Sequence, residues 1–100
     1  MQYVLSVDGT RTLVRIAGTF TFAHVKLFRE VLEKMEASER TEFVFDLAQL
    51  EFIDSSALGQ LLIAHEEAQR QGWRITLSGA QGIVRRSLES ASFERFFEIA

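Results

Sequence analysis

Residues 46–59 read DLAQLEFIDSSALG, and they join a buried strand to a helix. Residues 42–47 lead into this stretch with apolar side chains on both faces, which indicates a central strand covered by a helix. Apolar residues then recur at helical spacing from Ser55 to Gln71, and Gly72 follows as a left-handed C-terminal cap. Residues 48–54 separate the two elements and are predicted to form a short loop.

The N-terminal part of the chain predicts a β-hairpin followed by an amphipathic helix. Residues 3–7 and 12–17 alternate as two short strands, and residues 8–10 form the turn between them. Thr21 can cap the following helix, which is predicted to end among residues 37–40. The apolar stripe of this helix is predicted to contain Phe22, Val25, Phe28, Val31, Leu32 and Met35.

The C-terminal part adds two strands and one helix. A strand is predicted over 73–77, a turn over 78–80, a helix over 81–90 and an edge strand within 93–99. The order β-β-α-β-α-β-α-β predicts an α/β fold, a mixed β-sheet with an N-terminal antiparallel hairpin and helices packed on it. We expect residues 1–100 to form a single domain. The buried stripe of the second helix is predicted to be Leu58, Leu61, Leu62, His65 and Ala68.

The composition excludes several classes of protein. The absence of cysteine removes disulfides, thiolate metal sites and cysteine nucleophiles. A net charge of −3 argues against nucleic-acid binding, whose affinity comes mainly from basic surface. No apolar run approaches the ~18–20 residues that span a bilayer, and the first residues lack a signal-peptide pattern. We therefore expect a cytoplasmic monomer that contacts neither nucleic acid nor membrane.

No catalytic or metal site is predicted. Ser56 lacks the Gly-x-Ser-x-Gly pattern of a hydrolase nucleophile, since Asp54 and Leu58 stand where the glycines would be. His24 and His65 are the only histidines, and no cluster of carboxylates accompanies either of them. His65 is expected to be partly buried and hydrogen-bonded. The sequence thus predicts a protein that is not an enzyme, with no catalytic residue, metal or cofactor.

The start of the second helix is the segment with functional potential. Asp54 or Ser55 can cap this helix, which places Ser56 in its first turn beside free N–H groups and the positive end of the helix dipole. A phosphate on Ser56 would be tolerated there. Ala57 and Gly59 are small and would let another surface approach the Ser56 hydroxyl. The residues alone leave two interpretations open, an ordinary capped helix start and a modification or binding site.

Residues 46–59 resemble the signature of the STAS domain, the fold of bacterial anti-sigma factor antagonists. In that family a strand ending in Asp-Leu leads through a short loop into Asp-Ser-Ser-Gly/Ala-Leu-Gly at a helix start. The resemblance implies that Ser56 is the regulatory phosphorylation site, and that the partner-binding residues around it are Asp54, Ser55, Ala57, Leu58 and Gly59. Two features depart from the pattern. Ala57 replaces the commoner glycine, and Ala100 ends the chain before the final helix that some members have.

The resemblance implies a switch between partners. The unmodified protein would bind an anti-sigma factor or a related regulator, a serine kinase would phosphorylate Ser56, and a PPM-type phosphatase would reset it. Asp54 would orient Ser56 or receive contacts from the kinase, or it would cap the helix, and both roles are compatible. Two alternatives stay open: a constitutive STAS subunit of a transport or stress-signalling complex, and a small-ligand or nucleotide sensor that uses Arg85 and Arg86.

Overall fold

Six strands and three helices follow one another along the chain in the predicted order, with one additional strand. The computed structural model describes residues 1–100. The strands are β1 (Gln2–Asp8), β2 (Arg11–Phe20), β3 (Glu42–Asp46), β4 (Leu50–Ile53), β5 (Arg74–Ser78) and β6 (Glu98–Ile99). The helices are α1 (Val25–Ala37), α2 (Ser55–Gln71) and α3 (Gly82–Ser90).

The strands form one mixed sheet, as the sequence predicts for an α/β fold with an N-terminal hairpin. Their order is β1-β2-β3-β5-β6, and β4 pairs with β2 beside this path. Only β1 and β2 are antiparallel, and all other pairs are parallel. Gly9, with a φ of +64°, makes the tight hairpin turn between them. The parallel pairs bring the carboxyl ends of β2, β3, β4 and β5 to the same edge of the sheet.

The predicted loop over residues 48–54 is wrong, because it contains strand β4. Leu50 and Ile53 of this strand are buried, while the two residues between them are exposed. This pattern lacks the strict alternation of a half-buried strand, so the sequence does not reveal it. β2 also runs past its predicted end to Phe20. It pairs with β3 up to Arg15 and with β4 from Gly18, and the register of the β4 pairing shifts between Gly18 and Thr19.

The edge strand predicted within residues 93–99 is present as β6 at one end of the sheet, but it is only two residues long. Residues 93–95 form a 3₁₀ turn, and only Glu98–Ile99 pairs with β5. The ring of Phe93 stacks on that of Phe97 at 5.9 Å, and both are buried. The partly buried ring of His65 lies edge-on to Phe97 at 5.7 Å. Pairing of β6 with β5 and packing of these rings beside His65 of α2 together hold this segment.

One core lies between the sheet and the helices. Phe28 of α1 is fully buried, with its ring 4.9 Å from Phe20 and 6.0 Å from Phe45. The buried stripe of α2 differs from the predicted one, because three of the five predicted residues, Leu58, Leu62 and His65, are only partly buried. The buried residues of α2 are Ala57, Leu61, Ala64 and Ala68. Small alanines let α2 pack closely, whereas a pattern based on bulk favours the leucines. No helix is both long and apolar enough to cross a membrane.

Candidate functional site at the start of α2

The ends of two parallel strands bring the candidate site together. β2 and β4 are neighbours, and their last residues, Phe20 and Ile53, are register partners. The backbone N–H of Asp54 donates to the carbonyl of Phe20 at 3.2 Å. The turn that follows β2 therefore lies beside the first turn of α2, although some thirty residues separate them along the chain.

Asp54 connects these two turns through both oxygens of its carboxylate. Oδ1 accepts a hydrogen bond from the N–H of Ala57 at 2.9 Å, which makes Asp54 the N-cap of α2. Oδ2 accepts one from the N–H of Phe22 at 3.0 Å. The sequence left Asp54 and Ser55 as alternative caps, and the structure assigns the cap to Asp54. The second hydrogen bond has no signal in the sequence.

The two serines that follow are both exposed on the first turn of α2. Burial therefore does not distinguish Ser55 from Ser56. Ala57 is fully buried, so its side chain packs in the core and is not itself part of the exposed surface around Ser56. Leu58 and Gly59 are half-buried. Gly59 has open space where a side chain would begin, and its φ is not positive.

Phe22 is the residue of this region that the sequence misplaces. Helical spacing put it on the buried stripe of the first helix, but its side chain is 72% exposed. α1 begins only at Val25, because residues 22–24 form a 3₁₀ turn that Thr21 caps through a hydrogen bond from the N–H of Ala23 at 3.3 Å. This turn changes the periodicity before the α-helix begins. Phe22 therefore points to solvent next to α2.

Other groups that the sequence offered do not assemble into a ligand site. The Arg85 guanidinium faces Glu89 at 3.8 Å on α3, and Arg86 is exposed on the same helix. No three histidine, aspartate or glutamate side chains come close enough together to hold a metal ion. None of the cavities of the structure is lined by Ser56. The region around Ser56 is thus an open surface.

Comparison with known proteins identifies relatives over nearly the whole chain. The family model of the STAS domain matches residues 3–100. A STAS-domain containing protein of Pseudomonas aeruginosa is 34% identical over 95 residues, which are 95% of this chain and 93% of that protein.

Solved structures share the fold. The anti-sigma factor antagonist SpoIIAA in its unphosphorylated form aligns with a TM-score of 0.74 and 19% identity, covering 99% of this chain and 87% of that one. The phosphorylated form of SpoIIAA from Bacillus gives a TM-score of 0.72 and 18% identity, covering 99% and 91%. A sulfate transporter family protein of Wolinella succinogenes gives a TM-score of 0.74 and 21% identity, covering 90% and 73%.

Proposed function

The chain belongs to the STAS domain family, and we propose that it is a single-domain partner switch controlled by phosphorylation of Ser56. In its unmodified form it binds an anti-sigma factor or a related protein regulator through the surface around the start of α2. A phosphate on Ser56 releases that partner. Solved structures with this fold include SpoIIAA in both its unphosphorylated and its phosphorylated form, which supports control by phosphorylation.

The observation that carries the proposal is the open surface around Ser56. Its side chain is exposed, so a kinase reaches it without local unfolding. Gly59 lies one helical turn further along α2, where glycine costs about 1 kcal/mol relative to alanine. Neither packing nor backbone conformation requires a glycine at that position. A glycine at this position allows another protein to approach this face of α2 closely, which would explain why it is there.

Phosphorylation acts on this surface through charge. A phosphate adds about −1.5 to −2 charges at pH 7. The first turn of α2 offers free N–H groups at the positive end of the helix dipole, so the isolated domain tolerates the phosphate. The Asp54 carboxylate already occupies the N–H of Ala57, so that group is not available to the phosphate. A docked partner would have to desolvate that charge. Desolvation of a buried charge costs several kcal/mol. About 4 kcal/mol separates nanomolar from micromolar binding, so one phosphate is sufficient to release the partner.

The proposal includes the proteins that set the state of Ser56. A serine kinase adds the phosphate and a PPM-type phosphatase removes it, both in the cytoplasm. In this proposal the chain itself is a regulator and not an enzyme. Asp54, Ser55, Leu58 and Gly59 line the approach to Ser56, whereas Ala57 supports the turn from the core.

A second candidate function is a constitutive subunit of a larger complex. The likeness to the Wolinella sulfate transporter family protein favours it, because the same fold is found there. In that case Ser56 is a residue of the first helical turn and nothing more. The two functions can be separated by experiment, because only the switch predicts that Ser56 is phosphorylated and that its phosphorylation releases the partner.

The test is partner capture from lysate of the source organism. The baits are the wild type, Ser56→Ala and Ser56→Asp, and mass spectrometry measures what each retains. We expect a protein regulator held by the alanine form and reduced at least tenfold on the aspartate form. Equal retention on both forms favours the constitutive subunit.

A matched control comes from the neighbouring serine. Ser55 is also exposed and lies on the same helical turn as Ser56, so Ser55→Asp adds the same charge one position away. The switch predicts that Ser55→Asp retains more partner than Ser56→Asp. Phosphopeptide analysis of the chain purified from its own cells is expected to find phosphate on Ser56 and not on Ser55.

A further inference from the structure

We propose that Phe22 docks the partner on the same surface as Ser56, and that the Asp54 carboxylate positions Phe22 for this role. The inference rests on the proposed function and extends its binding surface to a residue outside the motif at residues 46–59. Its partner is a protein with an apolar pocket for an aromatic ring beside the site that receives the Ser56 hydroxyl.

The exposure of Phe22 has no explanation within the folded chain. Its neighbours Phe20 and Phe28 are fully buried, whereas Phe22 is 72% exposed. Burying a phenylalanine side chain stabilises a protein by about 1.5–3 kcal/mol. The domain does not gain this stabilisation from Phe22, because the ring is left in water. Aromatic residues of this kind are the common anchors of protein interfaces.

The turn that carries Phe22 is held at three points. The N–H of Phe22 donates to Asp54 Oδ2 at 3.0 Å, and the N–H of Ala23 to Thr21 Oγ1 at 3.3 Å. The N–H of Thr21 donates to Nδ1 of His24 at 3.0 Å, which closes the capping box. Fixed backbone around an exposed ring lowers the entropy that binding would otherwise cost.

Asp54 joins the 3₁₀ turn at residues 22–24 and the first turn of α2 into one continuous surface. A single carboxylate accepts from Phe22 on one side and from Ala57, the residue after Ser56, on the other. A partner that covers the Ser56 hydroxyl therefore meets Phe22 in a fixed position. The surface combines an aromatic anchor with a modifiable hydroxyl.

The experiment adds three baits to the capture assay, Phe22→Ala, Ile83→Ala and Asp54→Asn. Phe22→Ala removes the ring, and Ile83→Ala is the matched control because Ile83 is also exposed, at 42%, but lies on α3. We expect proteins that depend on the state of Ser56 to fall at least tenfold on Phe22→Ala and to stay at the wild-type level on Ile83→Ala. The urea midpoint of Phe22→Ala is expected to equal that of the wild type, which shows that the variant folds.

Asp54→Asn tests the positioning role. Asparagine is as good an N-cap as aspartate, so it keeps the cap on Ala57 but turns its amide N–H₂ toward the N–H of Phe22. We expect capture to fall several-fold, with faster amide hydrogen exchange at Phe22 and unchanged exchange at Ala57. Wild-type capture by this variant, together with faster exchange at Phe22, overturns the positioning role.

The remaining outcomes separate this inference from the switch. A protein lost from Ser56→Asp but retained by Phe22→Ala overturns the docking role and leaves the switch standing. A protein lost from Phe22→Ala and retained by both Ser56→Asp and Ile83→Ala supports docking and refutes the switch. Equal retention on every bait overturns both.

Discussion

Replacement of Asp54 measures how much one side chain contributes to joining β2 and α2. Asp54→Ala removes the cap on Ala57, the hydrogen bond to Phe22 and a negative charge at the helix start. Loss of an N-cap costs about 1 kcal/mol, and loss of favourable charge at a helix N-terminus about 0.3–1 kcal/mol. The bond to Phe22 adds about 1 kcal/mol, near the middle of the range for a net hydrogen bond, because water reaches this exposed N–H in the variant. We expect Asp54→Ala to lose about 2–3 kcal/mol of unfolding free energy.

Asp54→Asn divides this value into its parts. Asparagine keeps the cap and loses the other two contributions, so we expect it to be more stable than Asp54→Ala by about 1 kcal/mol. Urea unfolding followed by circular dichroism gives both free energies, provided that the m-values are equal. Glu51→Ala, an exposed carboxylate on β4, is the control and should change stability by less than about 0.5 kcal/mol. Equal losses for the alanine and asparagine variants would refute the capping role.

Three other perturbations test the packing, a turn and a surface contact. Phe28→Ala opens a cavity in the core and should cost about 3–5 kcal/mol by urea unfolding. Gly79→Ala should cost about 1–2 kcal/mol, because φ is +78° and the new Cβ would lie 3.1 Å from Cβ of Ala48. The hydrogen bond with Tyr3 raises the pKa of Lys34, so Tyr3→Phe should lower it in an NMR titration. Stability from this raised pKa is present below the unfolded-state value and is lost as pH rises through the folded-state value.

Each of these expectations has a result that contradicts it. A loss below about 1 kcal/mol for Phe28→Ala would mean that the core collapses around the missing ring. Wild-type stability for Gly79→Ala would mean that the turn after β5 accepts another backbone conformation. An unchanged pKa of Lys34 in Tyr3→Phe would assign the shift to the neighbouring Glu30 carboxylate, which also raises the pKa.

The sequence predicted the elements whose signals are local. The hairpin, the helix that begins at Ser55, and the glycine that ends it at Gly72 with a φ of +76° all follow from residues close together in the chain. Thr21 is a cap as predicted, but it caps the 3₁₀ turn that precedes α1 and not α1 itself. Such turns and caps are decided by hydrogen bonds within a few residues, so a single sequence contains the necessary information.

The motif at residues 46–59 located the candidate site but not its full extent. The segment placed Asp54 and Ser56 at a helix start, where the structure has them. It gave no indication of Phe22, since a phenylalanine three residues before Val25 has the spacing of a buried helical position. The 3₁₀ turn at residues 22–24 makes that spacing misleading.

Only the tertiary structure decided the features that depend on residues far apart along the chain. β4 exists because the end of β2 offers it a parallel edge, and its four residues are too few for a period to be visible. The carboxylate of Asp54 has a second partner because two parallel strands end side by side, which brings Phe22 to it across about thirty residues of chain. Local hydrogen bonds and periodicity are written in the sequence, whereas the neighbours that a strand end or a carboxylate meets depend on how the whole sheet closes around its core.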